Sequence, residues 1–280
     1  MKIVTLVENS LCGGDACRED LHAARGMSLY AETAGHKVLF DMGPGAEFLN
    51  NAKALGVDLA AVDTAVLSHG HSDHGGGLEA FCRVNSRAQL YLRREAFHPY
   101  YAVLPGQEPQ YIGLETPPDF LHKRAVFTDD CLRLDGELLL FSDVADDPAS
   151  RAAAPKLQEK IGGEFRPDVF AHEQHLLLQS QGRAVLLAGC AHKGIVSILA
   201  AAKRHLGRMP DAVFGGFHLF ELPPDEPASA QLIDRTAKAL LEGGTVYYTG
   251  HCTGDWAYGQ LKAVLGDRLQ PMNCGTVVEI

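Results

Sequence analysis

The run His69-Gly70-His71-Ser72-Asp73-His74-Gly75-Gly76-Gly77 constrains this chain more than any other part of it. It directly follows Thr64–Ser68, a short apolar segment that reads as a strand, so a buried strand delivers four metal-competent side chains within six residues. On extended backbone His69 and His71 point the same way and can share one ion. Asp73 and His74 come where the chain turns and can serve a second. The glycines beyond them let backbone approach closely. The competing reading, a solvated histidine-rich loop, does not account for four ligand types placed straight after a buried strand.

The C-terminal part repeats one theme three times. Ala184–Leu187 reads as a strand that ends in Gly189-Cys190-Ala191-His192, before a helix predicted over Ile195–Leu206. Asp211–Phe214 ends in Gly215-Gly216-Phe217-His218, before a helix over Ala228–Leu241. Thr245–Tyr248 ends in Gly250-His251-Cys252-Thr253-Gly254, before a helix over Tyr258–Leu265. In α/β sheets the carboxyl edge of the strands is where ligands bind. Three returns of glycine and histidine to one edge are hard to explain as packing, in a chain with 13 histidines and 29 glycines.

The N-terminal part is richer in strands: Lys2–Glu8, then Ser28–Glu32 and His36–Asp41 around the turn Thr33-Ala34-Gly35, then Ala88–Leu92. Phe48–Leu55 has helical apolar spacing and stops at Gly56. Arg133–Ser142 reads as a hairpin turning at Asp135-Gly136. Residues 95–125 mix Phe97, Tyr100, Tyr101 and Tyr111 with prolines and are expected to form a packed lid, whose tyrosines contact substrate. Residues 142–167 are polar and punctuated by proline and glycine, with the look of a linker.

Composition excludes several classes. Thirty-five acidic against 25 basic residues give a net charge of −10, and no Lys/Arg cluster is present, which disfavours nucleic acid. No apolar run approaches the ~18 residues of a membrane span. The start, Met1-Lys2-Ile3-Val4-Thr5, reads as a strand rather than a signal peptide. Seven scattered cysteines, an odd number, fit a reducing cytoplasm better than a disulfide framework. A small-molecule substrate is therefore expected, with a homo-oligomer left open. Cys12 and Cys17 lack a second pair at zinc spacing and read as a loop near the site mouth. His22, His36, His98, His122 and His205 read as surface or packing residues.

Ser68-His69-Gly70-His71-Ser72-Asp73-His74-Gly75-Gly76 resembles the signature of the metallo-β-lactamase fold, and Phe40-Asp41-Met42-Gly43 resembles its upstream Asp-x-Gly turn. The resemblance implies an α/β chain of αββα type. Two mixed sheets lie face to face with helices outside and metals at one edge, in a single domain over residues 1–280. Gly189–Ile195, Gly215–Leu219 and Thr249–Gly254 resemble the branch related to 7,8-dihydropterin-6-methyl-4-(β-D-ribofuranosyl)aminobenzene-5′-phosphate synthase. Most superfamily members carry Gly-Asp, with a bridging carboxylate, where this chain reads Gly189-Cys190, and His192 is the expected replacement ligand.

These readings predict one or two divalent ions, zinc first, with iron or manganese as alternatives. His69, His71 and His192 are assigned to one ion and Asp73, His74 and His251 to the other. His218 is open between ligand, donor to a ligand and substrate contact. Asp41 is expected to accept a hydrogen bond from a ligand histidine. Cys190 and Cys252 are small buried neighbours of ligands, with a ligand or nucleophile role as the alternative. His172 and His175 are weaker candidates. The predicted activity is hydrolysis by metal-activated water of a small, phosphorylated or pterin-like substrate, with Asp73 orienting the water or taking its proton. The alternatives are a pterin-type synthase and an iron-containing oxidoreductase.

Overall fold

Period-two burial organises both halves of the chain, and it decides which residues face which layer. The structure, a computed structural model, describes residues 1–13, 19–115, 121, 123–151, 154 and 156–280; Cys17, His122 and residues 116–120 of the expected lid lie outside them. In chain order the strands are β1 (Lys2–Val7), β2 (Ser28–Glu32), β3 (Lys37–Phe40), β4 (Thr64–Val66), β5 (Gln89–Arg93), β6 (Tyr100–Ala102), β7 (Gln110–Tyr111), β8 (Ala125–Thr128), β9 (Cys131–Arg133), β10 (Leu138–Phe141), β11 (Leu157–Ile161), β12 (Glu164–Pro167), β13 (His175–Ser180), β14 (Arg183–Leu187), β15 (Ala212–Phe214), β16 (Val246–Thr249), β17 (Leu269–Pro271) and β18 (Val277–Glu279). The helices are α1 (Glu47–Ala54), α2 (Ser72–Gly75), α3 (Leu78–Val84), α4 (Pro148–Arg151), α5 (Ile195–Leu206), α6 (Pro227–Leu240) and α7 (Asp255–Leu265).

Two seven-stranded mixed sheets result, in the orders β18-β1-β2-β3-β4-β5-β8 and β17-β16-β15-β14-β13-β10-β9. Ile3, Val38, Phe40 and Val66 of the first meet Leu138, Leu140, Leu176, Leu178, Val185 and Leu187 of the second in one apolar layer. The alternate residues Val4, Leu6, Leu39, Ala65 and Leu67 face the other way, against Phe48 of α1 and Leu78 and Phe81 of α3. Leu139, Leu177, Leu186 and Val213 likewise face α5, α6 and α7. The order helix, sheet, sheet, helix is the expected αββα sandwich. Each layer follows from strands buried on both faces.

α5 shows how the outer layer is specified. Ile195, Ile198, Leu199 and Ala202 recur at helical spacing on the buried face, and the helix stops where Gly207 takes a left-handed φ of 77°. Lys203, Arg204 and His205 in its last turn suit the negative end of the helix.

Residues 142–167 do not run as a linker. β11 and β12 form a hairpin whose two-residue turn, Gly162-Gly163, has both φ values positive (59° and 93°), as a tight hairpin turn needs. β11 also pairs with β6, and β6 with β7, so this stretch and the expected lid build one four-stranded sheet, β12-β11-β6-β7. The Gly-Gly pair is the hairpin signal, and the polar residues around it mask the strands.

Far from the strand ends that carry the histidines, His36 ties the two sheets together. Its Nδ1 lies 2.9 Å from Asp63 and its Nε2 lies 2.6 Å from Asp135 at the β9–β10 turn. Burial opposes its charge, but the two carboxylates outweigh burial and raise its pKa above 6.5, while hydrogen bonds draw both aspartates below 3.8. The raised histidine contributes fully below pH 6.5 and loses its contribution as pH rises through its folded value. The lowered aspartates contribute above pH 3.8 and lose theirs as pH falls through their folded values. The stability difference between wild type and His36→Ala is therefore expected to peak between about pH 4 and 6.5, at no more than about 1 kcal/mol for so exposed a triad. Thermal melts across pH check this; a difference that grows above pH 8 would contradict it. Among the described residues no helix is long and apolar enough to cross a membrane.

Candidate metal centre

Six histidines reach one end of the sandwich, three from each sheet. β4 ends at Val66, and the chain then passes through Ser68 and His69 into α2, which carries Asp73 and His74. A Cβ at Gly70 would collide with the carbonyl oxygen of Ala96, so only glycine lets the loop pass there. From the second sheet, β14 leads to Cys190 and His192, β15 to His218, and β16 to His251 and Cys252. Asp41, Ala191, His218 and His251 all hold left-handed backbone, with φ between 46° and 59°. Non-glycine residues seldom adopt this conformation, and when they do they cluster at functional sites.

The ring orientations are fixed from outside. Asp41, fully buried, accepts from His74 Nδ1 (2.7 Å), from the Ser68 hydroxyl (2.6 Å) and from the Ser68 backbone N–H (2.7 Å). The same hydroxyl oxygen accepts from His69 Nδ1 at 2.8 Å. One carboxylate thus sets the tautomer of two histidines, one of them through Ser68. Glu173 accepts from His192 Nδ1 (3.0 Å) and from the backbone N–H groups of His192 and Lys193. Asn9 Oδ1 accepts from His251 Nδ1 at 2.9 Å, and Glu8 accepts the His251 backbone N–H.

With the Nδ1 protons of His69, His74, His192 and His251 committed outward, the Nε2 lone pairs of those four rings turn inward. Nε2 of His69, His71 and His192 are buried without a hydrogen-bond partner, and the donor atoms of the three lie within 4.8 Å of one another. Asp73, His74 and His251 form a second such group. In it His74 Nε2 and His251 Nε2 face each other at 3.2 Å. Two lone pairs at that distance repel unless a cation lies between them. Nitrogen ligands about 2.0–2.1 Å from a tetrahedral ion stand roughly 3.4 Å apart, so the spacing fits a shared metal. Cys190 Sγ lies 3.1 Å from His74 Nε2 and groups with His69 and His74 on one side and with His251 and Cys252 on the other. The donor set therefore fits one or two divalent ions, and the residues present suit zinc, iron or manganese.

A family model described as the metallo-beta-lactamase superfamily matches residues 25–251. The chain belongs to that superfamily. Among its relatives, the 7,8-dihydropterin-6-methyl-4-(beta-D-ribofuranosyl)-aminobenzene-5′-phosphate synthase of Methanocaldococcus jannaschii is 26% identical over 257 residues, covering 87% of this chain and 84% of the relative. An uncharacterized protein of the same organism is 26% identical over 262 residues, covering 87% and 94%. The crystal structure of Tm1679, "a metal-dependent hydrolase of the beta-lactamase superfamily", superposes with a TM-score of 0.80 at 26% identity, over 100% of this chain and 99% of the other.

Within this metallo-beta-lactamase superfamily fold the chain places a thiol, Cys190, between its two histidine groups. His218 joins neither group. It lines the pocket, lies 4.6 Å from the His192 ring at a tilt of 51° and keeps a buried, unpartnered Nδ1. His172 has both nitrogens used: Nδ1 accepts from Gly70 N–H (2.8 Å) and Nε2 donates to Asp168 (3.0 Å), so it braces the His69–His71 loop. His175 packs on Phe141, 5.2 Å between rings. Burial pushes its pKa down to about 4, so it is neutral at pH 7.

Above the histidines lies a pocket of about 540 Å³ whose far wall is formed by Ala102, Gln110 and Leu157 of the small sheet and by Ile112 just after β7. The three tyrosines expected there stand elsewhere, two of them for a reason of strand parity. Tyr101 pairs with Tyr111 across β6 and β7, so both fall on one face, where Tyr101 meets Phe165 at 5.1 Å; their neighbours Ala102 and Gln110 take the pocket face. Tyr100 is buried beneath the site, with its hydroxyl donating to the Glu95 carbonyl and its ring 4.0 Å from His172.

Sequence reasoning passed over Glu173, Glu8, Asn9 and Asp168. Glu173 carried a signal, a carboxylate between His172 and His175 at the start of a strand. Glu8 and Asn9 carried none: only the packing of the two sheets brings the end of β1 beside the loop after β16.

Proposed function

We propose that the protein is a metal-dependent hydrolase that acts on a small molecule in the pocket above the histidines. The observation that carries this reading is the convergence of inward-facing imidazole nitrogens that have no protein partner. A bound divalent metal supplies Lewis acidity, polarising a substrate oxygen and making water a usable nucleophile near neutral pH. Asp73 lines the pocket 3.4 Å from His251 Nε2. Burial alone would raise its pKa, but His74, His251 and His71 hold it far below the usual carboxylate range. So weak a base orients the attacking water by accepting its hydrogen bond rather than keeping its proton. His218, held neutral by burial, has an unpartnered ring nitrogen on the pocket wall and is placed to meet the leaving group.

The test is turnover by protein reconstituted with Zn²⁺, Mn²⁺ or Fe²⁺ against ester, lactone and phosphodiester panels in ¹⁸O-labelled water. Incorporation of the label into product supports hydrolysis. A metal-loaded protein that incorporates no label from any class argues against it. The identity to a pterin-related synthase over most of both chains supports a second reading, a transferase that condenses two substrates. Condensation product formed without solvent oxygen would select it.

Cys190 is the third contributor to this reading. Its sulfur adjoins both histidine groups, so in the Co²⁺-substituted protein a thiolate-to-metal charge-transfer band is expected in the near ultraviolet. The band should vanish in Cys190→Ser and persist in Cys252→Ser. An unchanged spectrum in Cys190→Ser would make the thiol a bystander.

A further inference from the structure

Cys190 and Cys252 stand on the wall of the same pocket, one on the loop after β14 and the other on the turn after β16. Both are nearly buried, at 4% and 6% exposure, and the pocket gives a small solute access to them. Their sulfurs and a ring nitrogen of His251 all lie within 4.8 Å of one another. The Cys252 thiol points at its neighbour, donating to the Cys190 carbonyl at 3.6 Å. The chain leaving β15 passes beside the pair, and its Gly216 makes the room: a Cβ there would collide with the Cys252 sulfur. The backbone around the two thiols is pinned. Gly216 N–H donates to the Gly189 carbonyl at 2.8 Å, and the Cys252 carbonyl accepts from the N–H groups of Leu219 and Phe220 at 3.0 and 3.1 Å. A disulfide holds its sulfurs about 2.0 Å apart, so these two have at most about 2.8 Å to close, a gap within the sweep of χ1 rotation at the two side chains.

We infer that Cys190 and Cys252 are a redox-active dithiol that a hydroperoxide closes into a disulfide, withdrawing the Cys190 sulfur from the metal centre. Cys190 is the sulfur that matters to the centre: it lies 3.1 Å from His74 Nε2 and adjoins both histidine groups. Its attack on the peroxide forms an S–O bond and breaks the O–O bond, and the hydroxide released takes up the proton that Cys190 gives up. The Cys252 sulfur then attacks the sulfenic acid. The S–S bond forms, the S–O bond breaks, and the second oxygen leaves as water with the Cys252 proton. Two thiols and one hydrogen peroxide thus become one disulfide and two waters. A thiolate offers a cation its negative charge, and a disulfide sulfur offers none. A dithiol reductant reverses the step by exchange. This device rests on the metal-centre reading and not on the hydrolytic step.

The test is treatment of the zinc-loaded protein with hydrogen peroxide in stepwise molar excess. Mass spectrometry of the non-reduced digest then locates the oxidised cysteines, and chelator competition measures zinc affinity. A peptide pair joining Cys190 to Cys252 is expected, formed ahead of sulfinic acid at either residue. The crosslinked protein should bind zinc about tenfold or more weakly, and dithiothreitol should restore both thiols and the original affinity. In Cys252→Ser the resolving thiol is gone, so Cys190 should run on to sulfinic acid that dithiothreitol leaves in place. Circular dichroism checks that this variant folds. Thiols untouched by peroxide, sulfinic acid at Cys190 of wild type without the crosslink, pairing of either cysteine with a third, equal protection of Cys190 in Cys252→Ser, or full zinc affinity in the crosslinked protein overturns the inference. Reduced protein that binds no zinc fails the metal-centre reading and takes this device down with it. Reduced protein that binds zinc and then gives any of the overturning results fails this device alone.

Discussion

His71→Ala is expected to lose bound metal and turnover together. His71 gives one of three buried, unpartnered Nε2 atoms that lie within 4.8 Å of each other, and its ring packs against those of His69, His192 and His172 at 4.7–5.2 Å. Alanine leaves two nitrogens and a cavity wide enough for water, which competes for the open coordination position. Loss of a residue that only orients a ligand costs about 10–100-fold in metal affinity, and loss of the ligand itself should exceed that. Metal content after dialysis, measured beside turnover, checks it. Full metal stoichiometry in the variant would remove His71 from the centre. The metal-free forms of wild type and variant should melt within a few degrees of each other, because the side chain's designated partner is the ion.

Asp41→Asn is the second large effect, and it acts at a distance from the ion. Asparagine tolerates the left-handed backbone that Asp41 holds, with φ of 59°, and keeps the side chain's shape. It cannot keep the hydrogen bonds. Three donors now converge on the carboxylate, and an amide has one oxygen and an NH₂ group in its place. Facing that NH₂, His74 must accept at Nδ1 and carry its proton on Nε2, the atom that faces His251 at 3.2 Å. The same change turns the Ser68 hydroxyl and frees His69. Metal affinity is expected to fall by about 10–100-fold, while the backbone fold persists. Glu173→Gln disturbs one candidate ligand, His192, where Asp41→Asn disturbs two, and should cost less. Chelator competition against wild type gives the numbers, and wild-type affinity in Asp41→Asn would show that the tautomers are set by something else.

The candidate metal ligands were legible because their chemistry is local. Alternation on extended backbone brings His69 and His71 together, and the turn after them presents Asp73 and His74, whatever the rest of the fold does. The strand-end histidines His192 and His251 were legible from strand and helix periodicity, which puts the end of every parallel strand at one edge. Asp41 was legible from its turn. The residues that hold the ligands were less so. Glu173 stood between two histidines and was passed over. Glu8 and Asn9 precede their partner His251 by more than 240 positions.

The pocket's wall shows the boundary most sharply. Sequence alone determined that residues 95–125 are aromatic and irregular, and it left residues 142–167 looking like a linker. Only the tertiary structure decided that β6 pairs with β11, and that parity turns Ala102 and Gln110 to the pocket and Tyr101 and Tyr111 away from it. A strand's side chains alternate with a period of two, so a shift of one residue in register exchanges the faces. Register in a short strand is fixed by its partner, and the partner lies more than fifty residues on. The sequence by itself therefore determined the candidate ligands and the strand ends that carry them, which local periodicity and spacing specify, while its resemblance to the superfamily implied the αββα layers. The tertiary structure decided which side chains line the pocket and which carboxylate holds which imidazole, because those depend on pairings between distant segments.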